Sequence, residues 1–220
     1  VEIKVVSDGN EHIYKPHFTY QGFRYVKLEG FDKKDIVPEN FNAVVVFSDM
    51  KRTGYFACGH ELLQQLYENI VWGQRGNFLD VPTDCPQRDE RLGWTGDAQV
   101  FIRTASYNYN VEKFFDKWLQ DLRLEQKREG RIPFCIPQVH DRPGSSTAVW
   151  SDASTVCPWQ IYLTYANKKV LARQFKSMCD YIDEIGRITK EKYLWYGCWH
   201  FGDWLGLDAP AGSYKGSSNP

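Results

Sequence analysis

Between residues 80 and 101 the chain reads DVPTDCPQRDERLGWTGDAQVF. Asp80, Asp84, Asp89, Glu90 and Asp97 crowd together there with Arg88 and Arg91, and Trp94 stands among them. Carboxylates close to one another push a pKa up, and a nearby arginine pulls it down. Such a stretch can keep one acid protonated while its neighbour stays ionised. Cleaving a glycosidic bond asks for that division of labour. One carboxyl donates a proton to the leaving oxygen, a second activates water or attacks, and further groups hold the sugar. The same residues also make an ordinary surface loop laced with ion pairs, and composition by itself favours that plainer reading.

Those groups need a scaffold. Pro82, Pro86, Gly93 and Gly96 interrupt the stretch, which predicts a structured loop turning into a helix near Gly96–Asp97. Upstream, Leu62, Leu63, Leu66, Tyr67, Ile70 and Val71 recur at helical spacing over 60–74, with Gly73 and Gly76 as the stop. Downstream, Asp97 is placed to cap a helix running to about Tyr109. Residues 111–129 form the clearest helix, with Val111, Phe114, Phe115, Trp118, Leu119 and Leu122 on one stripe and Gly130 at its end. A long loop, 131–149, carries His140, Asp141 and Arg142. A helical stretch opens at Trp150-Ser151-Asp152, with Pro158 read as a first-turn proline. Lys169–Ile185 follows, with Leu171, Phe175, Met178 and Ile182 in register and Gly186 beyond. Short and long connections alternate, which suggests helical hairpins. The tail, 209–220, is rich in Gly, Ser and Pro and reads as loop.

The first 56 residues follow a different period. Phe23–Glu29 alternates between two faces, Asn42–Ser48 is a β-branched run, and Ile3–Val6 and His12–Tyr20 are weaker strands. Together they predict the end of a β-sandwich over 1–56, braced against a helical domain over 57–220. Lys plus Arg number 27 against 28 Asp plus Glu, a balance that argues against a nucleic-acid or anionic-membrane partner. The longest apolar run, Ala43–Phe47, is too short to cross a bilayer. The six cysteines show no CxxC pair and no zinc-like histidine spacing, so free thiols are expected and no metal site or cofactor. No signal peptide is visible at Val1–Lys4, and both a cytoplasmic and an exported location in a bacterium stay open.

The run DCPQRDERLGWTGDAQ resembles, almost letter for letter, the signature of the bacterial α-L-rhamnosidases, glycoside hydrolase family 78. Flanking pieces are similar too: YKPHFTYQGFRYVKL, KWLQDLRLEQ, IPFCIPQV, VWSDASTVCPWQIY and FGDWLG. The resemblance implies a mainly α fold, an (α/α)6 barrel of helical hairpins preceded by a β-domain. It implies inverting removal of terminal α-L-rhamnose from a rhamnose-containing glycoside or oligosaccharide. Glu90 matches the family's general acid, and Asp84, Arg88, Trp94 and Asp97 match sugar-binding positions. Trp150 and Asp152 match a second pocket motif, and Asp203 and Trp204 either face the site or cap and pack a helix. The chain holds about five or six helices where a closed barrel needs twice that, so it is read as truncated near the barrel's midpoint. The general base would then lie outside it, leaving the chain inactive alone and prone to self-association through an exposed apolar edge. Two alternatives remain: another (α/α)6 carbohydrate-active enzyme, or a non-catalytic carbohydrate-binding module.

Overall fold

The structure, a computed structural model, describes residues 2–139 and 146–213. It is mainly helical: α1 (Glu61–Asn77), α2 (Thr95–Asn108), α3 (Glu112–Glu125), α4 (Ala153–Tyr165) and α5 (Lys168–Ile188). A short antiparallel ribbon, β1 (Phe78–Leu79) with β2 (Val81–Pro82), follows α1. The helix α3 forms where its stripe predicts, and Phe115, Trp118, Leu119 and Leu122 are all fully buried. Its outer face is charged, with Lys117 on Asp121 at 2.9 Å and Asp116 on Arg173 of α5 at 2.6 Å.

At the centre lies α4, packed against α2, α3 and α5. Contact on several sides explains how it carries Pro158 in its interior rather than in the first turn. Proline removes one backbone donor there, but burying Cys157 and Ile161 fully holds the helix together. Glycine is likewise no stop here: Gly73 and Gly76 lie inside α1, and Gly186 lies inside α5. A helical glycine costs only about 1 kcal/mol, which tertiary packing outweighs. The buried face of α5 is Val170, Gln174, Ser177, Tyr181 and Glu184, while Phe175 and Ile182, read as inward, are exposed. Polar contacts select that face: Arg123 of α3 donates to Gln174 at 2.8 Å, and Gln174 donates to Ser177 at 3.0 Å.

Short turns close two hairpins. Tyr165 clamps the one between α2 and α3, donating to the Tyr109 carbonyl at 3.2 Å and accepting from the Val111 N–H at 3.0 Å. Ala166, at φ 55°, ends α4, and the Asn167 side chain caps α5 by accepting from Lys169 and Val170. The long connections, 78–94 and 126–152, meet each other. Thr95 donates its N–H to the Phe134 carbonyl and Ile136 to the Gly93 carbonyl, both at 2.8 Å. That junction sets two loops and the N-terminus of α2 into one region. His140, Asp141 and Arg142 lie outside the described residues.

The strands expected at 3–6, 12–20, 23–29 and 42–48 are not formed, and among the described residues from 2 to 51 no strand pairing occurs. Two short 3-10 turns, Lys33–Asp35 and Pro38–Asn40, interrupt an extended path. Tyr25, Val26, Val44 and Val45 stay exposed. Alternating sequence makes a strand only where a neighbour pairs with it and a layer covers its apolar face, and a few short strands seldom supply both. The helical part is joined more firmly from Ser48 onward, where Ser48 donates to Phe78 at 2.9 Å and Thr53 and Gly54 donate to Asn108 at 3.0 Å. No described helix is long and apolar enough to cross a membrane.

Candidate active site

Local hydrogen bonds shape the acidic loop. Asp84 donates its N–H to the Leu92 carbonyl at 3.1 Å, and the Asp84 carboxylate accepts from the Leu92 N–H at 3.0 Å. Residues 85–91 are thereby looped out between two fixed ends. Gly93 runs so close to the other long loop that an added Cβ would lie 2.1 Å from the Ile136 oxygen, so no side chain fits there. The N-terminal segment presses on the same loop. The Arg91 guanidinium donates to the Tyr20 carbonyl and lies over the Tyr20 ring at 5.1 Å.

Beside the loop is a cavity of about 470 Å³, within the range of small-molecule sites. Asp84 and Asp97 line it together with Trp150 and Trp204, and Ile70, Phe78, Val100 and Phe101 make its apolar wall. Four of the nine residues picked from the sequence therefore share one hollow. The other five do not line it. Glu90 stands at the edge, its side chain 40% exposed and its carboxylate on Arg88 at 2.5 Å. Its oxygen nonetheless falls within 4.8 Å of the Asp84 carboxylate and the Cys85 sulfur. Among the described residues these three form the group that could converge on a metal ion. Burial pushes the Cys85 thiol up, so it offers a poor thiolate ligand.

Trp94 is the residue before the first turn of α2, and its indole lies parallel to Phe134 at 6.4 Å. Asp97 falls in that first turn rather than capping it, and Trp94 provides no side-chain cap either. The expectation of an Asp97 cap fails because the helix begins three residues earlier, at Thr95, whose hydroxyl and N–H are both spent on the Phe134 carbonyl. Asp152 turns its carboxylate to the Tyr181 hydroxyl at 2.7 Å and to the Val149 N–H at 2.9 Å. Asp203 is exposed in the segment after α5 and accepts the Gly206 N–H through its carbonyl at 3.1 Å.

The electrostatics raise the pKa of Asp97 above its ordinary value. Its surface stays open to the hollow, but protein surrounds the carboxyl closely, and that desolvation raises its pKa; the charges of Asp84 and Glu90 add to the shift. Cys135 feels the same field: burial first, then Asp84, Asp97 and Glu90, hold its thiol up at about 12. The charges of Asp84 and Glu90 thus reach both Asp97 and Cys135.

Sequence reasoning passed over the aromatic ring system above the hollow. Phe201 packs on Trp150 at 4.3 Å, on Phe134 at 5.3 Å and on Trp204 at 5.7 Å. The signals were the FG before Asp203-Trp204 and the Phe of IPFCIP, both within motifs read for their polar or loop character. Gly96 was read as a helix breaker. It is a contact surface instead, since a Cβ there would meet the Trp150 indole at 2.9 Å.

Comparison with known proteins returns one family twice. The bacterial α-L-rhamnosidase six-hairpin glycosidase domain matches residues 51–219, and the bacterial α-L-rhamnosidase concanavalin-like domain matches residues 1–47. An α-L-rhamnosidase of Formosa agariphila is 41% identical over 207 residues, which is 94% of this chain and 22% of that protein. One from Streptomyces avermitilis is 43% identical over 168 residues, 76% of this chain and 16% of that protein. The chain therefore spans about a fifth of the length of these relatives. Among solved structures, native α-L-rhamnosidase from Aspergillus terreus superposes with a TM-score of 0.83 at 43% identity, over 90% of this chain and 23% of that one. The Streptomyces avermitilis α-L-rhamnosidase complexed with L-rhamnose superposes with a TM-score of 0.70 at 39% identity, over 74% of this chain and 16% of that one.

Proposed function

The chain belongs to the bacterial α-L-rhamnosidase six-hairpin glycosidase family, and from that we propose that it supplies the sugar-holding and proton-donating side of an inverting α-L-rhamnosidase site. The observation that carries the reading is the hollow in which two carboxyls, Asp84 and Asp97, face two indoles, Trp150 and Trp204. A deoxyhexose offers hydroxyls to such carboxyls and apolar C–H faces to such rings. Glu90, at the edge of the hollow, is assigned the proton that goes to the departing oxygen. Arg88 holds that carboxylate while the site is empty. The ion pair opens as the glycoside enters: the Glu90 carboxylate takes up a proton from solvent, and Arg88 is released to a sugar hydroxyl. Inversion requires a water on the opposite face, activated by a carboxyl ~6.5–9.5 Å from the acid. We assign that base to the part of the fold which these residues, a fifth of their relatives' length, do not span.

A panel of aryl glycosides tests the proposal on the protein that carries this chain. Turnover of p-nitrophenyl α-L-rhamnoside over the glucoside and mannoside is expected, with β-L-rhamnose as the first product seen by NMR. The α-anomer first would overturn inversion. Another sugar preferred would favour a different enzyme on the same scaffold, and L-rhamnose binding without turnover would favour a binding module. The isolated 220-residue chain is expected to bind but not to hydrolyse.

A further inference from the structure

We infer that Tyr181, a core residue that does not line the cavity, fixes the place of Trp150 in the cavity wall by way of Asp152, and is a positioning residue for the ligand held there. The inference rests on the reading of the cavity as a sugar site only for the nature of that ligand. Trp150 is wedged between Gly96, whose missing Cβ leaves the indole its space, and the Phe201 ring at 4.3 Å. What delivers the indole to that slot is the backbone just before it. Val149 has φ 71°, a left-handed conformation that a β-branched residue rarely adopts and holds only when its surroundings enforce it.

The enforcing contacts are few and specific. The Val149 N–H donates to Asp152 Oδ2 at 2.9 Å, and its carbonyl accepts from the Gln99 amide. The second Asp152 oxygen, Oδ1, accepts the Tyr181 hydroxyl at 2.7 Å. Tyr181 is 1% exposed and belongs to the buried face of α5, so its hydroxyl is a fixed point from which the carboxylate hangs. Ser151 braces the same turn, accepting from the Thr147 N–H at 3.0 Å and donating to the Ile132 carbonyl at 3.1 Å. Tyr181, Asp152, Val149 and Trp150 thus form a chain of contacts from the helical core to the cavity wall. Asp152 serves in it through both oxygens, which explains why a residue of the pocket motif faces away from the pocket.

Incorporating 5-fluorotryptophan gives each indole a fluorine resonance, and Trp150→Phe assigns the one that matters. Tyr181→Phe removes only the hydroxyl, and Asp152→Asn leaves an oxygen for one of its two donors but not for both. In each variant the Trp150 resonance is expected to shift or broaden while that of Trp118, fully buried in α3, keeps its position. An unmoved Trp150 resonance in both variants overturns the inference. If Tyr181→Phe disturbs every indole, the Asp152→Asn spectrum decides alone. Titration with L-rhamnose adds the functional reading. The wild-type Trp150 resonance should move, Tyr181→Phe should weaken affinity about tenfold, the scale of a lost hydrogen bond to a charged group, and that loss should vanish in a Trp150→Ala background. Additive losses overturn the inference. Absence of any L-rhamnose response in the wild type overturns the sugar reading instead, and leaves the Trp150 spectra of the variants to decide the positioning.

Discussion

Replacing Gly96 by alanine sets two effects of known sign against each other. In an open helical position the change stabilises by about 0.5–1 kcal/mol, because alanine has less chain entropy to lose. At Gly96 the new Cβ would lie 2.9 Å from two atoms of the Trp150 indole, where ordinary contact begins at 3.4 Å. The indole must therefore retreat by about 0.5 Å, and the Phe201 ring at 4.3 Å stands against it. Overpacking of this kind costs about 1–3 kcal/mol. The steric cost wins, and a net loss of about 1 kcal/mol is expected. Gly186, helical in α5 with nothing within 4 Å of its would-be Cβ, is the control, and Gly186→Ala should be neutral or stabilising. Urea unfolding of the two variants beside the wild type gives the comparison, and near-ultraviolet circular dichroism reports the indole. A Gly96→Ala midpoint at or above the wild-type value, with unchanged aromatic dichroism, would refute the account of how α2 meets Trp150.

Three further outcomes follow from the same geometry. In the enzyme that carries this chain, Glu90→Gln should lower kcat by about 10²–10⁴ on a poor leaving group with little change in KM, and by less on p-nitrophenol; near-normal kcat on the poor leaving group would remove Glu90 as the acid. Asp97 binds its proton more tightly in the fold than its ordinary value of 3.8 implies, so its ionised form costs stability that is absent below that value and grows as pH rises through the raised one. Asp97→Asn should therefore raise the melting temperature at pH 7 and lose that advantage as pH falls below the ordinary carboxylate range, and a gap independent of pH would count against it. Cys85, Cys135 and Cys157 are buried and all three thiols are pushed up, so Cys58, Cys179 and Cys198 should react with a disulfide reagent first at pH 8; rapid labelling of Cys157 in mass spectra would show that α4 is not packed as described.

What could be read from the sequence was local. The stripe of α3 and the polar loop before α2 each carry their signal within a few turns of chain, and both form where expected. Readings that depended on a distant partner fared differently. Phe175 and Ile182 mark a helical stripe, yet α5 turns the polar residues Gln174 and Ser177 inward, where Arg123 donates to Gln174 and Gln174 in turn to Ser177. Gly73, Gly76, Gly186 and Pro158 read as punctuation and are not, because packing on neighbouring helices outweighs a propensity of about 1 kcal/mol for glycine and about 3 kcal/mol for proline. The N-terminal alternation pairs into no strand in the structure for the same reason in reverse: a strand pattern specifies which face to bury but supplies nothing to bury it against.

The acidic motif shows why linear spacing alone could not divide the wall of the site from its rim. Asp84 and Asp97 flank the run, and both face the cavity. Residues 85–91 between them are lifted away, because the paired bonds of Asp84 and Leu92 close the loop at its base. Glu90 is carried to the edge by that closure, within 4.8 Å of Asp84 yet 40% exposed. For a group that must hold the sugar this would be the wrong place. For a proton donor it is a suitable one, since the leaving oxygen joins the sugar to the part of the substrate that points outward. Division of the motif into a fixed wall and a reachable rim is thus a consequence of one backbone closure, and under the proposed function it gives neighbouring carboxyls different work.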